Sequence, residues 1–239
     1  MPASTETRIA LFSDVHGNLA ALRAVAAALD QESRTDHVVV AGDLLQGGPH
    51  PLEVWQMLRS QSWTLIRGNE DEALLPEDPP DLAGAYRHAF KSSVAWTRSN
   101  LAADTLTELA ALPDKWRLAT TAGDLLVVHA SPRSISDRVG GTHNSSEEVQ
   151  AAYAGTGAAV IAFGHYHRSF VRLEPFALLI NVASVGLPPD RRPLASYTIV
   201  TATDGGWVVE QRQVPYDPAP EAAAAAERGM PPWVPDPDC

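Results

Sequence analysis

Five short apolar runs mark out the first two-thirds of the chain: RIALF at 8–12, HVVVA at 37–41, WTLIR at 63–67, DLLVV at 124–128 and AVIAF at 159–163. Each is strand length and rich in Val, Ile or Leu, as buried strands are. Helical patterns lie between them. Residues 18–31 (NLAALRAVAAALDQ) are rich in Ala and Leu, with Asn18 where an N-cap would stand. Residues 50–60 carry Pro51 near the first helical position, where its missing N–H costs little. Two further helices are expected over 81–100 and 102–112, the second closed by Pro113, and a Ser-Glu capping pattern opens one over 145–153.

Strand–helix alternation in the first 70 residues argues for parallel pairing in an α/β layered fold. The later runs, at 115–121, 124–128, 169–173, 176–182, 196–203 and 206–214, follow one another through short turns. Asp204-Gly205-Gly206 between two of them signals a hairpin. A mixed sheet, or two sheets face to face, fits this part better than a purely parallel one. No repeat or linker divides the chain. Residues 1–217 therefore read as one domain, and 218–239 as an Ala/Pro-rich tail with one short helix near 219–228 and an irregular end.

Composition narrows the function classes. The sole cysteine is Cys239, which excludes a disulfide framework and a thiolate metal cage. The N-terminus MPASTETRIALF lacks the pattern of a secretory signal, and no run approaches the ~20 apolar residues that span a bilayer, so the expected location is cytoplasmic, with no membrane partner. The formal net charge of −11 opposes a stable nucleic-acid partner bound through a basic face. It leaves a phosphate ester open as substrate, because metal ions invert the local potential of an acidic protein.

The polar residues that follow the runs carry the chemistry. RIALF leads into Ser13-Asp14-Val15-His16-Gly17-Asn18, HVVVA into Gly42-Asp43, WTLIR into Gly68-Asn69-Glu70-Asp71, DLLVV into His129, and AVIAF into Gly164-His165-Tyr166-His167. Ligands of open α/β sheets bind beyond the carboxyl ends of the strands, so all five runs offer a metal-capable side chain to one rim. Asp14 and His16, like His165 and His167, are two apart, a spacing that in extended backbone puts both on the same side. Glycines 17, 42, 68 and 164 permit close approach beside them. Four His, two Asp and one Asn suit Mn, Fe or Zn better than Ca or Mg. One such residue alone would be a cap or surface group, which remains the reading of His37, His50, His88 and His143; Tyr166 is expected to pack in the core.

In order and strand context these segments, SDVHGN, AGDLLQGGP, RGNED, VVHASP and FGHYH, resemble the calcineurin-like metallophosphoesterases over roughly residues 8–217. SDVHGNLAAL, GGPHPLEV and the late NVASVG…SYTIV…VPYD are similar to the small single-domain bacterial and archaeal branch. The resemblance implies a four-layer sandwich in the α/β (α+β-like) class: two mixed β-sheets flanked by helices. It implies two divalent ions, Mn foremost with Fe or Zn as alternatives. Asp14, His16 and His167 would hold one, and Asn69, His129 and His165 the other, with Asp43 bridging. Asp43, Asn69, His16 and Glu70 fall to the catalytic group, and Asn69, Arg133 and Asn18 to substrate contact.

The implied reaction is hydrolysis of phosphodiester or phosphomonoester bonds by metal-activated hydroxide, with activity falling in acid because histidines must be neutral to ligate. A hydrolase of bis(5′-nucleosyl)-tetraphosphate-type anhydrides and a non-catalytic metal and phospholigand sensor are the alternatives. The partner would be a small phosphorylated compound, with nucleotides included and a homo-oligomer left open. Three departures stand out. Glu70 replaces the family's frequent His, and Gln46-Gly47 an Asp-Arg pair of the protein phosphatases. Val182-Ala183 replaces a usual Pro-Gly. A carboxylate beside two dications is a poor acid, so activated aryl esters and anhydrides should react faster than alkyl phosphates; alternatively, Glu70 only caps the next helix. Arg133, Arg138, Arg191 and Arg192 are candidate phosphate contacts whose ordinary reading is solvated surface.

Overall fold

A computed structural model describes residues 6–75 and 84–232, with residues 84–88 described through their backbone. Its elements run β1 (Thr7–Phe12), α1 (Leu19–Asp30), β2 (His37–Ala41), α2 (Pro51–Ser60), β3 (Thr64–Ile66), α3 (Asn69–Ala73), α4 (Gly84–Ser99), α5 (Ala103–Ala110) and β4 (Lys115–Leu118). They continue with β5 (Leu125–Val128), α6 (Ser146–Tyr153), β6 (Val160–Phe163), β7 (Ser169–Glu174), β8 (Ala177–Val182), β9 (Leu194–Thr203), β10 (Gly206–Pro215) and α7 (Ala219–Glu227). The first sheet has the order β10-β9-β1-β2-β3 and the second β4-β5-β6-β8-β7. β1, β2 and β3 pair in parallel, as do β5, β6 and β8; β9 and β10, like β4 and β7, add antiparallel strands at the sides. Both sheets are therefore mixed, and they also face each other.

Side-chain alternation explains the layering. Ile9, Leu11, Val39, Ala41 and Ile66 of the first sheet meet Leu125, Val127, Val160, Ala162 and Ile180 of the second in one core. Their neighbours Ala10, Phe12, Val40 and Leu65 point the other way, into a second core with Leu22 and Val25 of α1 and Val54 and Leu58 of α2. Leu126, Val128, Ile161 and Phe163 do the same on the far side against Val149 and Tyr153 of α6. Strands covered on both faces must be apolar at every position, which is why they read as continuous runs.

Local signals are placed as their chemistry requires. Asn18 caps α1, its Oδ1 accepting from Ala21 N–H at 3.0 Å. Pro51 opens α2, and Ser145 and Glu148 form a reciprocal capping box on α6. The expected run at 115–121 ends as a strand at Leu118, because Gly123 N–H turns back to Thr120 C=O. The short helix expected just after Glu70 is α3, and it begins at Asn69. In the tail, Glu221 of α7 accepts from Ala20 N–H at 2.9 Å and pairs with His50 Nδ1 at 3.0 Å, holding the helix on the starts of α1 and α2. The expected helix residues 81–83 and the expected irregular end at 233–239 lie outside the described residues. No helix among the described residues is long and apolar enough to cross a membrane.

Ala183 sits at φ 62°, a left-handed conformation, and is buried. That conformation costs an L-residue about 1–2 kcal/mol. Replacement by glycine removes this strain, but it also removes a buried methyl worth ~0.8 kcal/mol and adds freedom to the unfolded chain. The opposing effects nearly cancel, so Ala183→Gly is expected to change unfolding free energy by less than about 0.5 kcal/mol in urea titrations. Ala183→Val, whose branched Cβ tolerates positive φ poorly, should cost about 2 kcal/mol. A large gain from Gly would show that the methyl makes no useful contact.

Candidate metal centre

Backbone hydrogen bonds bring the strand ends together. Beyond β1 and β2 the two loops stay laced, with Asp14 N–H on Gly42 C=O, His16 N–H on Asp43 C=O and Gly17 N–H on Leu44 C=O, each at 3.0 Å. Gly164 N–H donates to His129 C=O at 2.9 Å, joining the loops of the second sheet. His165 N–H reaches Asp14 Oδ2 at 3.1 Å across the seam between the sheets. Gly164 makes that crossing possible: a Cβ there would fall on the Ser13 hydroxyl and the Asp14 carboxylate.

Two buried triads result, Asp14–His16–His167 and Asp43–His129–His165, with the ligand atoms of each within 4.8 Å of one another. In the first, His167 Nε2 lies 3.1 Å from His16 Nε2 and 3.2 Å from Asp14 Oδ1. In the second, His129 Nε2 lies 3.3 Å from Asp43 Oδ2 and 2.9 Å from Asn69 Oδ1. The seven residues nominated from sequence thus converge. Their spacing does not come from extended backbone, however. Asp14, His16, Asp43, His165 and His167 all have φ between 50° and 69°. They occupy left-handed turns past the strand ends, and His165 and His167 go to different triads instead of a common point. Five non-glycine residues held in this sparsely populated region are a local strain that the surrounding hydrogen bonds must offset.

The donor atoms suit divalent cations. His16 Nδ1 lies 2.9 Å from Gln46 C=O and His129 Nδ1 lies 2.7 Å from Ala41 C=O. A carbonyl only accepts, so each Nδ1 carries a proton and, in the neutral ring, each Nε2 lone pair faces the centre. His165 Nε2 and Asp14 Oδ1 are buried without a hydrogen-bond partner. Such orphaned groups are costly in a folded protein unless a cation satisfies them.

The electrostatics point the same way. Burial opposes ionisation of Asp14 and Asp43, yet His167 holds the Asp14 carboxyl, and His129 the Asp43 carboxyl, below the ordinary range. Burial and the neighbouring His129 push His165 down to about 4, and burial and His167 lower His16. Burial also opposes a charge on His129, but Asp43 and Asp14 raise it to about 10. A site with two carboxylates and one such imidazole holds a proton where a cation would compete for the same electron pair.

Glu70 departs from expectation. It is 7% exposed, and its N–H donates to Asp43 Oδ1 at 2.8 Å. Among protein charges alone, burial and then Asp43 and Asp71 raise its carboxyl well above the usual range. Bound dications would act in the opposite sense. Nor does Glu70 cap α3: Asp71 does, accepting from Gly68 N–H at 3.0 Å and from Leu44 N–H at 2.9 Å. Asp71 is fully buried and pins the β2 and β3 loops together, a role that sequence reasoning missed. Its signal was only an acid three residues after a strand-ending glycine.

Of the expected substrate contacts, Asn69 lies at the second triad, whereas Asn18 and Arg133 are engaged elsewhere. Besides capping α1, Asn18 donates through Nδ2 to Gly186 C=O at 3.0 Å and lies 3.3 Å from Tyr216 Oη. Arg133 is exposed and held by Asp137 at 2.7 and 2.9 Å. Arg138 and Arg191 are exposed, and Arg192 pairs with Asp190. His37 lies against Trp116, His50 pairs with Glu221, and His143 is exposed beside Tyr166, which is buried in the second sheet's outer core. The side chain of His88 lies outside the described residues.

The chain belongs to the calcineurin-like phosphoesterase superfamily, whose domain profile matches residues 7–205. It is 25% identical over 251 aligned residues to the uncharacterized protein MJ0912 of Methanocaldococcus jannaschii, covering 96% of each chain. Among solved structures it is similar to a metallophosphoesterase from Sphaerobacter thermophilus, with 27% identity, 95% of each chain covered and a TM-score of 0.72. The hypothetical protein PH1004 from Pyrococcus horikoshii OT3 shares the fold with a TM-score of 0.80, at 17% identity over 94% of each chain. Membership and the paired triads together define a phosphoesterase-family protein built to hold divalent metal.

Proposed function

We propose that this chain hydrolyses phosphodiester or phosphomonoester bonds with two divalent cations, manganese foremost. The observation that carries the reading is the pair of buried triads, in the second of which His165 Nε2 is buried without a hydrogen-bond partner. Asp14, His16 and His167 would hold one ion, and His129, His165 and Asn69 the other, with Asp43 facing both. Such ions supply an activated water at neutral pH and neutralise phosphate charge. The chain's own contribution is positional. Gln46 and Ala41 carbonyls fix the tautomers of His16 and His129, and Asp71 holds the β2 and β3 loops in register. Glu70, buried against Asp43, supports that carboxylate through its N–H. The engagement of Asn18 with the backbone favours a positioning role, and the Nε–Nη2 edge of Arg133 is taken by Asp137. Such an enzyme would act in the cytoplasm.

The test is release of nitrophenol from bis- and mono-nitrophenyl phosphate by chelator-treated protein, with and without added Mn. Activity is expected only with metal, saturating near two equivalents bound per chain. Tight metal uptake without turnover would instead favour a sensor.

A further inference from the structure

The metal centre shares a wall with a second feature. A pocket of about 420 Å³ opens between the loop after β5 and the turn joining β6 to β7, lined by Gly141, His143, Tyr166, Arg168 and Phe170 among others. Its volume lies in the range of ~300–1,000 Å³ usual for small-ligand sites. Both bounding segments leave strands that end in metal ligands, His129 and His165. Tyr166 stands between ligands of the two triads, its ring edge-on to His165 at 5.5 Å between centroids and 79° between planes.

The pocket is built from rings and the guanidinium of Arg168. His143, exposed, faces the Tyr166 ring at 6.5 Å. Phe170 also lines the pocket, and both it and Tyr166 rest on the buried Phe163, 5.9 and 6.4 Å away. Gly141 leaves room for these rings: a Cβ there would lie 2.8 Å from His143 and 3.1 Å from Tyr166. The loop is fastened in place, with Arg172 donating to Asn144 C=O at 2.8 Å and Gly141 C=O at 3.2 Å, and Gly140 N–H donating to Asn144 Oδ1 at 3.1 Å. Arg168 directly follows the ligand His167 and is exposed. Arg133, Arg172 and Arg212 are each held by carboxylates, but Arg168 makes no ion pair or hydrogen bond among the described residues. Its guanidinium lies beside the aromatic walls of the pocket. Guanidinium planes and imidazole or phenol rings are the groups on which planar rings stack.

We propose that this pocket is a ring subsite. It holds the nucleobase of a phosphate ester whose phosphorus lies at the metal centre, with the base against His143 and Tyr166 and the Arg168 guanidinium on its face or its carbonyl edge. This assignment rests on the phosphoesterase reading and narrows its substrate class to nucleotide esters.

Two measurements test it. The first is an NMR titration of chelator-treated protein with thymidine and with 2-deoxyribose, which needs no turnover. Thymidine should bind at least about tenfold more tightly, and His143→Ala should weaken it roughly fivefold, as loss of a stacking partner does. The second compares kcat/KM of the Mn-loaded protein on thymidine 5′-p-nitrophenyl phosphate and on methyl p-nitrophenyl phosphate, which share a leaving group. The wild type should prefer the nucleoside ester, and His143→Ala and Arg168→Ala, both exposed and safe for folding, should each reduce that ratio by roughly five- to tenfold. Equal rates on the two esters, a ratio unmoved by either substitution, or thymidine binding no better than deoxyribose overturns the subsite while leaving the phosphoesterase in place. Thymidine binding that is lost in His143→Ala, with neither ester cleaved, upholds the subsite and removes the phosphoesterase.

Discussion

Asp43→Asn is expected to lower kcat by on the order of 10³-fold, equivalent to about 4 kcal/mol of barrier, while the protein stays folded. Asparagine matches aspartate in size, and its Oδ1 can still accept from Glu70 N–H, now 2.8 Å from Asp43. The backbone bond from His16 N–H to Asp43 C=O is also untouched. What disappears is a negative charge that sits 3.3 Å from His129 Nε2 and faces His16 and His165 as well. A neutral amide there would be a poor bridge between two dications. Turnover of bis-nitrophenyl phosphate together with metal stoichiometry checks this. A variant that kept a tenth of the activity would place Asp43 outside the reacting centre.

Gly68→Ala is expected to destabilise the chelator-treated protein by about 3 kcal/mol and to abolish metal binding. The reason is space, not backbone freedom, since φ at Gly68 is −105° and suits any residue. An added Cβ would fall on Asp43 Oδ1 and Asp43 N and within 2.9 Å of Asp43 Cγ. Neither can retreat. Glu70 N–H fixes the carboxylate, and Asp71 ties Gly68 N–H to Leu44 N–H. Urea unfolding and metal content would measure the two effects separately. Normal metal uptake by a folded Gly68→Ala protein would mean that the loops part far more easily than their hydrogen bonds imply.

Much of the architecture was legible because burial leaves a plain record. β1, β2, β5 and β6 are sealed on both faces, so their runs read as apolar, and the first polar residue beyond each marks where the strand gives way to its loop. That is the rim where the loops gather, and so the seven side chains that meet there could be named. Their path to the site could not be read. An i, i+2 spacing is compatible with extended chain and with consecutive turns alike, and only the dihedral angles show the latter at Asp14, His16, His165 and His167. Asp71 was overlooked because its partners, Leu44 N–H and Gly68 N–H, are backbone groups without sequence identity. The ring pocket was equally hidden: His143 and Arg168 are ordinary surface residues until a loop and an edge strand set them side by side.

Neither triad belongs to one sheet. Asp14 and His16 come from one half of the sandwich and His167 from the other; Asp43 comes from the first half, His129 and His165 from the second. An ion seated in either triad is therefore a rivet through the layers, clamping the sandwich at one end. Starving such a protein of metal would open its mouth as well as silence its chemistry.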